Sequence, residues 1–158
     1  MKKNKTWIFI TIIVVLSIIS MLPLLTNTLN IGHDTGFHIA NINASYKSIL
    51  NNFLLPSKIL PEIANNFGYA TAILVGGYLL LLFNSFLNTF DILTLVYLLT
   101  TIISALLIFK LASRLYKNNL MALLSTIIFI FMPYRLGDII VRSAYNEVFT
   151  FVFIPMIL

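Results

Sequence analysis

The stretch WIFITIIVVLSIISMLPLL, residues 7–25, runs for nineteen positions without a charged side chain. An α-helix needs about 20 such residues to cross the hydrocarbon of a bilayer. In lipid the backbone must satisfy its own hydrogen bonds, so an uninterrupted apolar run of this length reads as a helix. The basic start MKKNK precedes it, and Trp7 stands at the boundary, where interfacial aromatics collect. The run is too long for a signal-peptide core and lacks a small-residue cleavage site, which makes it an uncleaved signal anchor. Ser17 and Ser20 near its end keep a cleaved signal peptide as the competing reading.

The rest of the chain agrees with a lipid solvent. Of 158 residues, 59% are hydrophobic and 9% charged, with a mean hydropathy of +0.98, whereas soluble domains carry about 25% charged residues. A soluble fold could not cover so much apolar surface, and that class is excluded. The absence of cysteine excludes a disulfide framework, a thiolate zinc site and a cysteine nucleophile. No repeat and no low-complexity tract is present.

Three further apolar windows follow, Tyr69 to Leu87, Ile92 to Phe109 and Leu120 to Tyr134, and then a run from Val148 to Leu158. That last run is too short to span, so the chain is expected to be the N-terminal fragment of a longer membrane protein. Between Thr26 and Gly68 lies the one long polar stretch. Phe37, Ile42, Tyr46, Ile49 and Phe53 recur there at roughly helical spacing, as in a helix lying on the membrane surface. Pro56 and Pro61 make LLPSKILPEIANNFGY a shaped loop.

The net charge of +5 acts as a topology signal rather than a nucleic-acid footprint. If 69–87 spans, the basic residues divide five and five across the membrane. If it is re-entrant or interfacial, Lys2, Lys3, Lys5, Lys110, Arg114 and Lys117 are all cytoplasmic. Lys47, Lys58, Arg135 and Arg142 then lie outside with all five acids, Asp34, Glu62, Asp91, Asp138 and Glu147. The positive-inside rule favours the second layout. Gly76, Gly77, Asn84 and Ser85 also suit a helix packed on protein.

The expected plan is therefore one all-α, polytopic module in the cell membrane with a cytoplasmic N-terminus. It has a transmembrane helix at 7–28 and an external loop at 29–91 holding a surface helix and the apolar helix 69–87. A transmembrane helix at 92–109, a cytoplasmic loop at 110–119, a transmembrane helix at 120–134, an external loop at 135–147 and the start of another helix at 148–158 complete it.

This layout puts two polar clusters, GHDTGFH and YRLGDIIVRSAYNE, on one face of the membrane. In the first, His38 follows Asp34 by four residues and shares its face on a helix starting near Thr35. Asp34 as a helix cap, with both histidines at a wet interface, is the simplest account. His33, Asp34 and His38 as three ligands of a divalent metal is the other. In the second cluster Arg135, Asp138 and Arg142 fall at spacings of three and four, so Asp138 can pair with Arg142. Two guanidiniums against one near carboxylate leave positive charge for an anion such as a lipid phosphate. Glu147 opens the last apolar run, where the helix dipole favours a carboxylate.

A signal anchor followed by HD in the first external loop, FH on a surface helix, and then LPSKILPE and FGY resembles the start of GT-C type integral-membrane glycosyltransferases. HDTGFH together with PYRLGDIIVRSAYNE resembles the bacterial membrane family labelled 6-pyruvoyl-tetrahydropterin synthase-related. The likeness covers nearly the whole chain. It implies a GT-C-like module of a cell-envelope enzyme that uses a polyprenyl-phosphate-linked sugar as donor, with membrane lipid as its surroundings. It also implies that Asp34 is the catalytic or metal-holding acid and that Asp138 or Glu147 is the second acid; on residue chemistry, Arg135 and Arg142 would then neutralise the departing phosphate, and His38 or His33 would orient Asp34 or contact that phosphate. The alternative class is a non-catalytic membrane protein for lipid binding, transport or envelope assembly.

Overall fold

Every regular element among the described residues, 3–26, 32–52 and 67–157 of this computed structural model, is helical. In order they are α1 (Lys3–Leu25), α2 (Thr35–Asn52), α3 (Phe67–Phe83), α4 (Thr89–Tyr116), α5 (Asn119–Ile130), α6 (Pro133–Leu136), a π-helical turn (Gly137–Arg142) and α7 (Tyr145–Ile157). Phe53, Lys58, Glu62 and the proline-shaped loop fall largely within 53–66, outside the described residues.

Two helical stretches, Thr6–Leu25 and Thr89–Tyr116, are long and apolar enough to cross a membrane. Polar side chains within them bond along their own helix. Ser17 donates to Ile13 O at 2.8 Å, Thr101 to Tyr97 O at 2.6 Å and Ser104 to Thr101 O at 3.1 Å. This is how hydroxyls are tolerated where water is absent. The window of α4 is 56% buried and that of α1 only 28%, so α4 is the central post and α1 lines its edge. Trp7, Val15, Ile19 and Leu22 of α1 point away from the bundle.

α4 is longer than the 92–109 expected from hydropathy. Asn88 and Asp91 start it with a reciprocal capping box, both bonds at 3.0 Å, which satisfies two of the orphan donors of its first turn. No breaker interrupts it until Lys117 adopts a left-handed conformation at φ 51°, and Asn118 then caps α5. Lys110 and Arg114, expected in a loop, are thus on the last turns of a helix. The window 120–134 also differs from a simple span. α5 ends at Ile130, Pro133 begins α6 at a position where its missing N–H costs nothing, and the two pieces meet at 43°.

Ring contacts fix the directions. Phe9 meets Phe109 with centroids 6.0 Å apart, and Leu24 and Leu25 line a groove with Leu87 and Phe90, so α1 runs antiparallel to α4. Tyr145 meets Tyr97, and Pro155 and Met156 reach Leu107 and Lys110, so α7 runs parallel to α4. The bundle therefore has two chemically distinct ends. One gathers the start of α1 with Lys110, Arg114 and Lys117; the other gathers Asp34, Asp91, Asp138, Arg142 and Glu147. Each end has its own core. Ile13, Ala105, Phe109, Leu123 and Ile130 pack at the basic end, and Met21, Ile42, Ile73, Tyr97, Ile139 and Tyr145 at the acidic end.

α2 lies along α3 with Ile42, Ser45 and Ile49 buried and Phe37 exposed. Two glycines let the backbones approach. A Cβ on Gly77 would stand 2.5 Å from Ser45 Oγ, and one on Gly76 2.8 Å from Ile42 Cγ1. Gly76 and Gly77 thus act as the sequence implies, while Asn84 and Ser85 stand exposed in the turn after α3.

Candidate functional site

The two polar clusters, more than a hundred residues apart in sequence, meet through their backbones. As the chain enters α2, His33 N–H donates to Val141 O at 3.0 Å and Asp34 N–H to Arg142 O at 3.1 Å. One residue on, the hydroxyls of Thr35 and Ser143 share a hydrogen bond of 2.6 Å, both buried. Ser143 is left-handed at φ 55°, which turns the chain out of the π-helix and into α7. Gly32 makes the contact close: a Cβ there would sit 2.9 Å from both Ser143 N and Val141 O. Asp34 occupies the N-cap position of α2, its carbonyl accepting from His38 N–H at 3.0 Å.

This clasp encloses a cleft of about 240 Å³, with Asp34, Phe37 and His38 on one side and Arg142, Tyr145, Asn146 and Glu147 on the other. Arg142 is its electrostatic centre. The guanidinium donates to Asp138 Oδ1 at 2.6 Å and to both oxygens of Glu147, at 3.0 and 3.2 Å. The hydroxyl of Tyr134 donates to Glu147 Oε2 at 3.0 Å. Glu147 lies in the first turn of α7. Burial works against its charge, but the bonds from Arg142 and Tyr134 outweigh this and hold the carboxyl below its usual range.

The positive surplus inferred from spacing is not assembled here. Arg142 already pairs with two carboxylates, and Arg135 is fully buried elsewhere. Arg135 donates to Ile130 O at 3.1 Å and to Thr101 Oγ1 at 2.5 Å, with its guanidinium 5.2 Å from the Phe129 ring and 5.8 Å from that of Phe151. The reason is the π-helical turn. An α-helical register would align Arg135 with Asp138 and Arg142, whereas the wider turn from Gly137 keeps the Asp138–Arg142 pair and leaves Arg135 on the inner face. Arg135 joins α6 to the end of α5 and to α4 across the bend.

That role predicts a contrast between two substitutions. Arg135→Met keeps the length and apolar contacts, and Thr101 retains its bond to Tyr97 O. The substitution removes a buried cation that no carboxylate among the described residues neutralises but leaves Ile130 O without its donor, and is expected to cost about 1–3 kcal/mol without opening a large cavity. Arg135→Ala leaves a cavity and should cost about 2–5 kcal/mol. Unfolding midpoints in one detergent check both, and equal losses would refute this role.

His38 is buried beside Tyr145, ring centroids 5.5 Å apart, and contacts Phe37 at 5.6 Å. Burial pushes its imidazole below the usual value, while Asp34 and a hydrogen bond with the Ser143 backbone pull the other way. It is thus a neutral wall of the cleft near pH 7. The unfolded chain takes up this proton more readily than the folded one, so the stability held by neutral His38 is present above about pH 6.5 and is lost as pH falls below it. Melting curves at pH 7.5 and 5.0 should show a drop that His38→Gln diminishes; an unchanged drop would refute the assignment.

His33 is exposed and tied down by its backbone. Among the described residues no three His, Asp or Glu side chains are grouped to hold a metal ion, so the set His33, Asp34 and His38 is not assembled: helix α2 carries His38 inward while His33 faces out. The residues that sequence reasoning missed are those that build the clasp, Gly32, Thr35 and Ser143, and the aromatic wall Tyr145. Only the small-residue pair Ser143 and Ala144 following the charged cluster hints at a close approach. No family model, no curated protein and no solved structure matches the chain.

Proposed function

We propose that this chain belongs to an integral membrane glycosyltransferase of the GT-C-like kind, transferring a sugar from a polyprenyl-phosphate donor at the membrane face that carries Asp34. The observation that carries this reading is the meeting of the first-loop acid with the second acidic cluster around one cleft. Asp34, exposed at that cleft, accepts the proton of an acceptor hydroxyl, since an alcohol is a poor nucleophile until its proton is taken. Arg142, half exposed on its side chain, is the cation left to face the departing phosphate, with Glu147 and Asp138 fixing its orientation. A divalent ion, where the reaction needs one, would have to come with the donor phosphate and be held by Asp34 alone or with Glu147. The placement of the α1 start beside Lys110 and Arg114 supports a cytoplasmic N-terminus and an external cleft.

One observation favours a non-catalytic envelope or lipid-binding subunit instead. Arg142 is already neutralised by two carboxylates, as in a strut that only holds the loops. The readings separate in one assay. Intact protein in liposomes supplied with polyprenyl-phosphate sugars should release polyprenyl phosphate in step with sugar transfer, and no release across a panel of donors and acceptors would favour the strut.

A further inference from the structure

At the end of the bundle opposite Asp34, a second cleft of about 400 Å³ opens between the last turns of α4 and the end of α7. Its walls are Leu107, Leu111 and Leu115 from α4 and Pro155 and Met156 from α7, and its two charged members are Lys110 and Arg114. The cations are four residues apart and therefore share one face of the helix. Both are exposed, and among the described residues neither has an acid within ion-pair distance. Asp91, the acid of the same helix, lies about 28 Å away along its axis at 1.5 Å per residue.

Depth and shape select the occupant. Lys110 directly follows Phe109, the last residue of the apolar run of α4, and so stands where hydrocarbon gives way to headgroups. Arg114 is one turn further out. Leucines one turn before, between and just beyond the two cations give the cleft an apolar wall continuous with the lipid-facing side of the helix. A soluble anion would use the cations and leave that wall wet; a phospholipid uses both. We infer that this cleft holds one anionic phospholipid, its phosphate between Lys110 and Arg114 and the first methylenes of its chains along Leu107 and Leu111. The positive-inside rule alone would place these charges in a loop. Here they sit on a helix, aimed into a concave apolar site, and this makes the contact specific. The inference is independent of the activity proposed for the Asp34 cleft.

The test is lipid retention by the intact protein in native mass spectrometry after exchange into detergent. Phosphatidylglycerol is expected to remain as a single adduct in preference to phosphatidylcholine of the same chain length, and glycerol phosphate, which has no chains, is expected not to displace it. Lys110→Gln with Arg114→Gln should weaken retention about ten- to thirty-fold, on the usual worth of a basic residue at an anionic surface. Lys117→Gln removes the same charge outside the cleft and should leave retention unchanged. A melting curve of the double variant shows that it is folded. Equal retention of the two lipids, displacement by glycerol phosphate, or equal loss in the Lys117 variant would each overturn the site.

Discussion

On the proposed transferase reading, Asp34→Asn is expected to lower sugar transfer by about 10²- to 10⁴-fold, the usual worth of a positioned proton acceptor, while leaving the melting temperature nearly unchanged. The two effects separate because the side chain and the backbone of residue 34 do different work. Its backbone holds the clasp, N–H to Arg142 O and C=O from His38 N–H, and an amide side chain leaves both bonds intact. Asparagine is also as good an N-cap as aspartate, so α2 should start at the same residue. What disappears is the lone pair that accepts a proton and the charge that could attract a cation. If Asp34 were only a cap, the variant would keep its full rate. A rate within about threefold of wild type, in protein with a normal melting curve, would therefore remove Asp34 from the chemistry. Glu147→Gln provides a graded comparison. It weakens the pairing of Arg142 without touching Asp34, and if Arg142 meets the leaving phosphate it should lower the rate less than Asp34→Asn does.

How much of this was legible in the sequence depends on the range of each interaction. Apolar length and the lone basic start reveal the helices, because the bilayer imposes a fixed thickness on any chain that crosses it. Gly76 and Gly77 could be read as packing residues, since a double glycine amid leucines has no better use. The i,i+4 pair Asp138–Arg142 was legible for the same reason, being local. Arg135 was not. Its placement depends on a π-helical turn and a bend after Ile130, and neither leaves a mark in GDIIVR beyond the preceding proline. The cleft was half legible: both clusters stood out by charge, but their meeting rests on backbone bonds from His33 and Asp34 that the smallness of Gly32 permits, and neither charge nor spacing announces that close approach. The burial of His38 against Tyr145 likewise follows from which face of α2 meets α7, a tertiary fact that two histidines in a polar loop do not disclose.

The clasp itself offers the second large effect, Gly32→Ala. Gly32 does not need a left-handed backbone; it needs to be small. An added Cβ would lie 2.9 Å from Ser143 N and from Val141 O, and these are backbone atoms that cannot rotate aside as a side-chain tip would. Relief requires the segment 32–35 leading into α2 to lift from the end of the π-helix. That costs the His33 and Asp34 backbone bonds and the buried Thr35–Ser143 hydroxyl pair, each worth about 1 kcal/mol, and overpacking adds strain of about 1–3 kcal/mol where the lift is incomplete. A loss of about 3 kcal/mol or more is expected, read as a lower unfolding midpoint in a fixed detergent. Gly36→Ala is the matched control, because nothing lies within 4 Å of a Cβ there, and alanine in the first turn of α2 should stabilise by up to about 1 kcal/mol. The two glycines, four residues apart, are thus expected to respond with opposite signs. On the proposed transferase reading, Gly32→Ala should also slow transfer although every acidic side chain is intact, because lifting residue 34 carries its carboxylate away from Arg142 and Glu147. Combined with Asp34→Asn, it should add little further loss of rate, since a carboxylate already displaced has little left to give. Full additivity in rate would show that Asp34 and the clasp act separately, and the proposal that the clasp serves to present Asp34 to the cleft would fail.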